Sequence, residues 1–233
     1  MANDLNGFLF GTYPYIALAV LALGTIIRYD RDPYTWKSGS SQLLKRKQLV
    51  LGSVLFHVGV LAIFAGHLVG LLTPLWLWDM LGVSHGAKQT IAIVLGGVAG
   101  VMGIIGATLL IHRRFFDARV RASSSFADNM VILVLWLQLA LGLGTIFVSV
   151  QHLDGEEMVK FMYWAQGIFT FNSDAASHIA DVGLIFKLHI TLGLTIFVLF
   201  PFTRLVHMLS APIRYIWRPG YQIVRTKRSI AAE

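Results

Sequence analysis

The 233-residue sequence contains no cysteine. That absence excludes disulfides, cysteine-ligated iron–sulfur clusters, thiolate zinc sites and a covalently attached c-type haem. Charge is also scarce: 13% of residues are charged, against about 25% in a soluble domain. What replaces it is apolar. The apolar fraction is 56% and the mean hydropathy is +0.67, more than a soluble domain of this size can keep from water. Disorder, collagen and coiled coil are excluded by the same composition, so the bilayer is the expected solvent. The net charge of +7 then reads as cytoplasmic loops rather than nucleic-acid binding.

Five segments reach the roughly 20 mostly apolar residues that a spanning helix needs: residues 7–27, 48–72, 90–112, 128–150 and 183–209. The first is too long and too weakly basic at its start for a cleavable signal peptide. These runs do not alternate, and open sheet edges do not survive in lipid, which leaves an all-α membrane protein of five transmembrane helices. There is no linker and no long-period repeat, so residues 1–233 read as one domain, with a tail at 210–233. Sixteen of the nineteen lysines and arginines lie in the first connection, the third connection and the C-terminal end. The positive-inside rule therefore places the N-terminus outside (periplasmic) and the C-terminus in the cytoplasm. The fourth connection, 151–182, carries five carboxylates and an apolar patch at 161–171, the pattern of a short amphipathic segment on the outer face. The Arg- and aromatic-rich tail (Arg214, Tyr215, Trp217, Arg218, Tyr221) has an interface composition.

Glycine recurs every seven residues on the second span (Gly52, Gly59, Gly66) and lines the third (Gly96, Gly97, Gly100, Gly103, Gly106). On the third span, close helix packing is the expectation. On the second, the stripe could also make room for a flat prosthetic group. Four of the eight histidines, His57, His67, His189 and His207, fall inside spans, where ionisable residues are costly and mark function. His85, His112, His152 and His178 sit at span ends or in the outer connection and read as interfacial or solvated.

On regular helices, His57 and His67 stand about 15 Å apart along the axis, and His189 and His207 share one face about 27 Å apart. The second and fifth spans run antiparallel under the orientation above. The histidines must then pair crosswise: His57 with His207 towards the cytoplasm, His67 with His189 towards the outside. Each pair can clamp one iron from opposite sides, with the two irons about 20 Å apart. A structural zinc would want four ligands at one point rather than two at each of two depths. Without Cys-x-x-Cys-His, such haems are non-covalent and b-type. Two axial histidines leave iron no open position, which suits electron transfer. Lys88 and Lys187 lie on the outer side against the charge bias. They read either as snorkelling cations or as partners of a haem propionate or a quinone oxygen.

Several stretches then carry a resemblance: Tyr13-Pro-Tyr-Ile16, Arg28-Tyr-Asp30, Tyr34-Thr-Trp36, residues 53–67 (SVLFHVGVLAIFAGH), 70–74 (GLLTP), Arg119-Val-Arg121, Gln151-His-Leu-Asp-Gly155, and 186–207, which begins FKLH and ends LFPFTRLVH. Nearly end to end, the chain resembles the gamma subunit of bacterial membrane-bound respiratory nitrate reductase. That family usually has asparagine where Ser53 stands and arginine where Lys187 stands; neither departure touches an iron ligand. The resemblance implies that His67 and His189 hold an outer haem and His57 and His207 an inner one. It also implies a quinol site (menaquinol or ubiquinol) beside the outer haem, with Lys88 and Gly66 near the quinone oxygen. The implied partners are an iron–sulfur (beta) subunit and a molybdenum catalytic (alpha) subunit on the cytoplasmic face of the bacterial inner membrane. The residues alone leave two other classes open: a di-haem quinol-oxidising subunit serving another acceptor, and a non-redox anchor or transporter whose histidines form hydrogen bonds or a proton path.

Overall fold

The computed structural model describes residues 2–36 and 44–210; the arginine- and aromatic-rich tail lies outside the described residues. Five helices are long and apolar enough to cross a membrane: α1 (Leu5–Arg31), α2 (Arg46–Leu72), α4 (His85–Phe116), α6 (Phe126–Ser149) and the fifth span, Leu184–Phe202, whose regular part is α8 (Leu184–Leu199). Short helices α3 (Leu75–Met80), α5 (Ala118–Ala122) and α7 (Glu156–Phe169) lie between them, and no strand occurs among the described residues. The protein is an all-α membrane protein, as its composition requires. The first four spans begin before the expected bounds, and two of them also end later, because the helices continue into polar rims that hydropathy does not count.

Helix ends are specified locally. Ser84 caps α4 by accepting from the Ala87 N–H at 3.2 Å. Ser125 and Asp128 form a reciprocal capping box at the start of α6, satisfying two amides that the helix leaves unpaired. At the end of α2, Pro74 has no N–H to offer the carbonyl of Gly70. Lys88 Nζ donates to that carbonyl instead, at 2.8 Å, and the Gln166 amide donates to Leu71 O and Thr73 O at 3.0 and 3.2 Å. This gives the Gly70–Pro74 motif a structural reason.

In space α2 packs on α4, α4 on α6, α6 on α8, and α8 on α1. The α2–α4 seam is the closest. A Cβ placed on Gly59 would stand 2.6 Å from Ala99 O and Gly103 N, and one on Gly106 2.7 Å from Gly52 O. Of the third-span glycines, Gly100, Gly103 and Gly106 thus serve close helix packing, whereas a Cβ on Gly96 would meet nothing within 4 Å. On the second span the reading divides: Gly52 and Gly59 are spent on the seam with α4, whereas a Cβ on Gly66 would meet nothing within 4 Å. Gly66 leaves open space, as does Gly70 one turn later.

The fifth span departs from expectation. It does not run as one helix to residue 209. Regular α8 stops at Leu199, Phe200–Phe202 is a 3-10 turn, Thr203 is extended (φ −123°, ψ 179°), and Arg204–Ser210 is a second 3-10 segment. Pro201 is the cause, since it cannot continue the α-helical ladder. The carbonyls this break frees are met by one side chain: Arg28 donates to Pro201 O at 2.8 Å and to Thr203 O at 2.7 Å. The Pro201 ring seats against Gly24, where a Cβ would approach it to 2.8 Å.

Helix α7 is the expected amphipathic segment. Its apolar face, with Trp164, Ala165 and Ile168, is buried with Phe10, Ile179 and Phe186 over one end of the bundle. A π-helical turn at Phe8–Thr12 exposes the Phe10 carbonyl to the Trp164 indole N–H at 2.9 Å. Outside the membrane spans, Lys160 of α7 bonds Asp181 at 3.0 Å and Glu157 at 3.1 Å. The hydrogen bond to Asp181 comes first among the causes that raise the lysine's pKa, and its counterpart from Lys160 holds the Asp181 carboxyl below its ordinary range.

Candidate functional site

Helices α2 and α8 make no extensive backbone approach to one another. Imidazoles meet between α2 and the fifth span with the 3-10 segment that continues it. The rings of His57 and His207 have centroids 6.1 Å apart, and those of His67 and His189 are 6.2 Å apart. The pairing is crosswise, so the two elements run antiparallel. The break at Pro201 does not spoil the second pair. The 3-10 segment that follows returns His207 to His57, beside a core of Val131, Phe200, Leu205 and Val206.

Three of the four rings are oriented by carbonyls of their own segment. His57 Nδ1 lies 2.7 Å from Ser53 O, with Ser53 Oγ at 3.2 Å. His67 Nδ1 lies 2.9 Å from Ile63 O, and His207 Nδ1 bonds Arg204 O. A carbonyl only accepts, so Nδ1 must carry the proton in each, and the Nε2 lone pair is left for a ligand. His189 differs: its Nδ1 is buried without a partner. Two imidazoles bound to one metal through nitrogen at about 2.0–2.1 Å hold their ring centres about 6 Å apart. Both pairs match that spacing. The residues present would therefore fit a group that takes two imidazole nitrogens at each of two depths. A metal held by protein alone fits less well, since no cluster of three or more His, Cys, Asp or Glu occurs among the described residues.

Lys88 is 5% exposed and turned into the protein, not outwards along the lipid face. Its ammonium donates to Gly70 O and, at 2.6 Å, to Met162 Sδ, and it sits 4.8 Å from the centre of the Trp78 ring. That ties the end of α2 and the start of α4 to the middle of α7 at the His67–His189 end of the bundle. The Trp78 indole nitrogen is buried there without a partner. Lys187 instead donates to Ala180 O at 2.6 Å. At the other end, Asp128 lies 3.6 Å from Arg114 and 3.4 Å from Arg204, three residues before His207. The remaining histidines have partners of their own. His85 faces Asp79 at 3.6 Å, His112 faces Gln48 at 3.1 Å, His152 faces Val148 O at 3.2 Å, and His178 stacks near Tyr163. None joins the two pairs.

Residues 6–227 match the family described as nitrate reductase gamma subunit. The chain belongs to that family. It is 48% identical to the respiratory nitrate reductase 1 gamma chain of Escherichia coli (strain K12), over 96% of this chain and 98% of that one. It is 47% identical to the respiratory nitrate reductase 2 gamma chain of the same organism, over 98% and 100%, and 38% identical to the nitrate reductase gamma chain of Bacillus subtilis (strain 168), over 95% and 98%. Family membership and five apolar helices make this chain a membrane subunit of a respiratory nitrate reductase, an oxidoreductase in which it associates with other subunits.

Several residues of the site were not singled out from the sequence: Trp78 and Met162 around Lys88, and Gln138 beside His189; Arg28 was noted only within the Arg28-Tyr-Asp30 stretch, with no role at the helix break. Gln138 was the most legible of them. A carboxamide at mid-span is expensive in lipid and calls for a partner, but the histidines are the stronger signal.

Proposed function

We propose that this chain is the quinol-oxidising, di-haem cytochrome b subunit of its complex. His57 and His207 would ligate the inner haem iron and His67 and His189 the outer. The observation that carries the reading is the two imidazole pairs that α2 makes with α8 (His67–His189, ring centroids 6.2 Å apart) and with the 3-10 segment that follows it (His57–His207, 6.1 Å). Bound there, b-type haems supply one-electron carriers, matched to removing a quinol's two electrons in succession.

The chain's own residues do the rest. Each Nδ1–H given to a backbone carbonyl fixes an imidazole's tautomer and strengthens Nε2 as a donor. Lys88 has three N–H groups and spends two on Gly70 O and Met162 Sδ; the third can donate to a quinol oxygen and stabilise negative charge as the proton leaves. Gly66, with open space where a side chain would be, leaves the ring room beside His67. The lysine and arginine distribution puts this end of the bundle on the outer, periplasmic side, so the quinol protons leave outward. Electrons are delivered to the cytoplasmic face, where an iron–sulfur beta subunit and a molybdenum alpha subunit reduce nitrate. The substrate is menaquinol or ubiquinol, and the location is the bacterial inner membrane.

Two sets of variants test this in the intact complex. Replacing His67 or His189 should delete one haem spectral component, and replacing His57 or His207 the other. Members of one pair deleting different components would refute the pairing. Lys88→Ala should strongly lower quinol-driven haem reduction while haem content, and reduction by an artificial donor that bypasses quinol, stay near normal. Normal quinol oxidation in that variant would remove Lys88 from the site and leave it the purely structural role of holding the end of α2.

A further inference from the structure

His207 finds its acceptor differently from the two histidines on α2. There the imidazole Nδ1 turns to the carbonyl four residues back: Ser53 O for His57 at 2.7 Å and Ile63 O for His67 at 2.9 Å. Four residues before His207 stands Thr203, which is extended and whose carbonyl accepts from Arg28 at 2.7 Å. His207 instead uses the carbonyl three back, that of Arg204, the first residue of the 3-10 segment. No α-helical ladder fixes Arg204, and 3-10 hydrogen bonds have the poorer geometry. The Arg204 side chain is held from another helix. Its Nε lies 3.4 Å from Asp128 Oδ1, with the two side chains 20% and 22% exposed. Asp128 is itself held from two further sides. Its amide donates to Ser125 Oγ at 3.1 Å, and its Oδ2 accepts from the Ser125 N–H at 3.4 Å, the capping box that starts α6. The same Oδ2 lies 3.6 Å from Arg114 Nη1 near the end of α4. One carboxylate thus joins the end of α4, the start of α6 and the segment that carries His207. A carboxylate in a first helical turn and a guanidinium in a last one are also where the helix dipoles favour those charges.

We propose that Asp128 is a positioning residue for His207: by holding the Arg204 side chain it sets the carbonyl to which the ring gives its Nδ1–H. This rests on the reading of His207 as an inner-haem ligand. An acceptor on Nδ1–H makes Nε2 the stronger donor and favours ferric over ferrous iron at that site. Releasing Arg204 lets its carbonyl turn away from the ring, and that preference weakens. Asp128 therefore acts on the inner haem from two steps away, without touching iron or imidazole. His67 and His189 pair at the other end of the bundle and have no part in the linkage.

Redox titration of both haems in the assembled complex, with the low-temperature optical and electron paramagnetic resonance spectra of each, tests this. Asp128→Asn keeps the size and an oxygen for the Ser125 N–H but removes the charge. Arg204→Leu removes the pair from its other side and leaves the α6 cap intact, and Arg204→Lys keeps a cation for Asp128. The asparagine and leucine variants should each weaken the inner haem's ferric preference by about tenfold, which is a rise of about 59 mV for one electron. The lysine variant should stay near the parent, and the outer component should stay in place in all three. The common direction separates positioning from simple charge: the field of a lost charge alone would raise the potential in Asp128→Asn and lower it in Arg204→Leu. Opposite shifts, an inner component unmoved in both, or an equal shift of the outer component overturns the positioning role. Should Asp128→Asn fail to assemble, Arg204→Leu decides alone: a rise supports the role, and a fall or no change overturns it. His207→Gln run alongside separates the two levels. If it deletes the inner component while the other variants leave that component unmoved, only the role of Asp128 fails. If the inner component survives His207→Gln, the ligand reading fails and the positioning role falls with it.

Discussion

Adding one methyl group to Gly59 and to Gly66 should give opposite results, although both lie on the same seven-residue stripe of α2. At Gly59 the new Cβ would stand 2.6 Å from Ala99 O and Gly103 N and 2.8 Å from Gly103 Cα. All three are backbone atoms, so no side chain can rotate away. Helices α2 and α4 would have to part by roughly 1 Å to restore ordinary contact near 3.5 Å. Overpacking of this kind costs about 1–3 kcal/mol. For a chain of this size that lowers the thermal midpoint by about 2–4 °C per kcal/mol. At Gly66 the Cβ would meet no protein atom within 4 Å, so Gly66→Ala should melt with the parent, and any effect should fall on the outer haem spectrum or on quinol oxidation. Near-UV circular dichroism during heating in detergent reads the fold, and quinol-driven haem reduction reads the site. A Gly59→Ala protein that melts like the parent, or a Gly66→Ala protein that loses as much stability, would refute the assignment of the two halves of the stripe.

Arg28→Ala leaves the carbonyls of Pro201 and Thr203 without their donor, at about 1–3 kcal/mol for each group left buried and unpaired. The haem component that depends on His207 should decline first; equal loss of both components would count against a local role. The Lys160 clamp sets a pH window by sign. Asp181 is held below its ordinary value, so its contribution is present above the ordinary carboxylate pKa and is lost as pH falls through the depressed one. Lys160 is held above its ordinary value, so its contribution is full below the ordinary lysine pKa and is lost as pH rises through the raised one. Hydrogen exchange across residues 172–183 should therefore be slowest between those limits and lose that dependence in Lys160→Met; an unchanged profile in the variant would disprove it. Deleting residues 221–233 should weaken co-purification of the partner subunits and leave haem content mostly intact, and undiminished co-purification would remove the tail from the interface.

Composition and periodicity alone determined the solvent, the number of spans and the four in-span histidines, because a bilayer allows only long apolar helices and makes each ionisable residue within them conspicuous. Crosswise pairing was legible too, since span order and alternating basic loops leave α2 and α8 antiparallel. Tertiary structure decided the rest. Helix arithmetic put His189 and His207 on one face of a continuous helix, but Pro201 breaks that helix, and Arg28, 173 residues away from the carbonyl it caps, holds the break in the shape that returns His207 to His57. A heptad of glycines cannot say which members face another backbone; packing against Gly103 and Gly106 claimed Gly52 and Gly59 and left Gly66 open. Lys88 at a span edge suits snorkelling and burial equally well in one dimension. It was settled inward by Pro74, which leaves Gly70 O without an amide partner, and by Met162 and Trp78, which arrive from other helices. Local pattern reports what a residue needs; which neighbour supplies it depends on contacts between segments far apart in the chain.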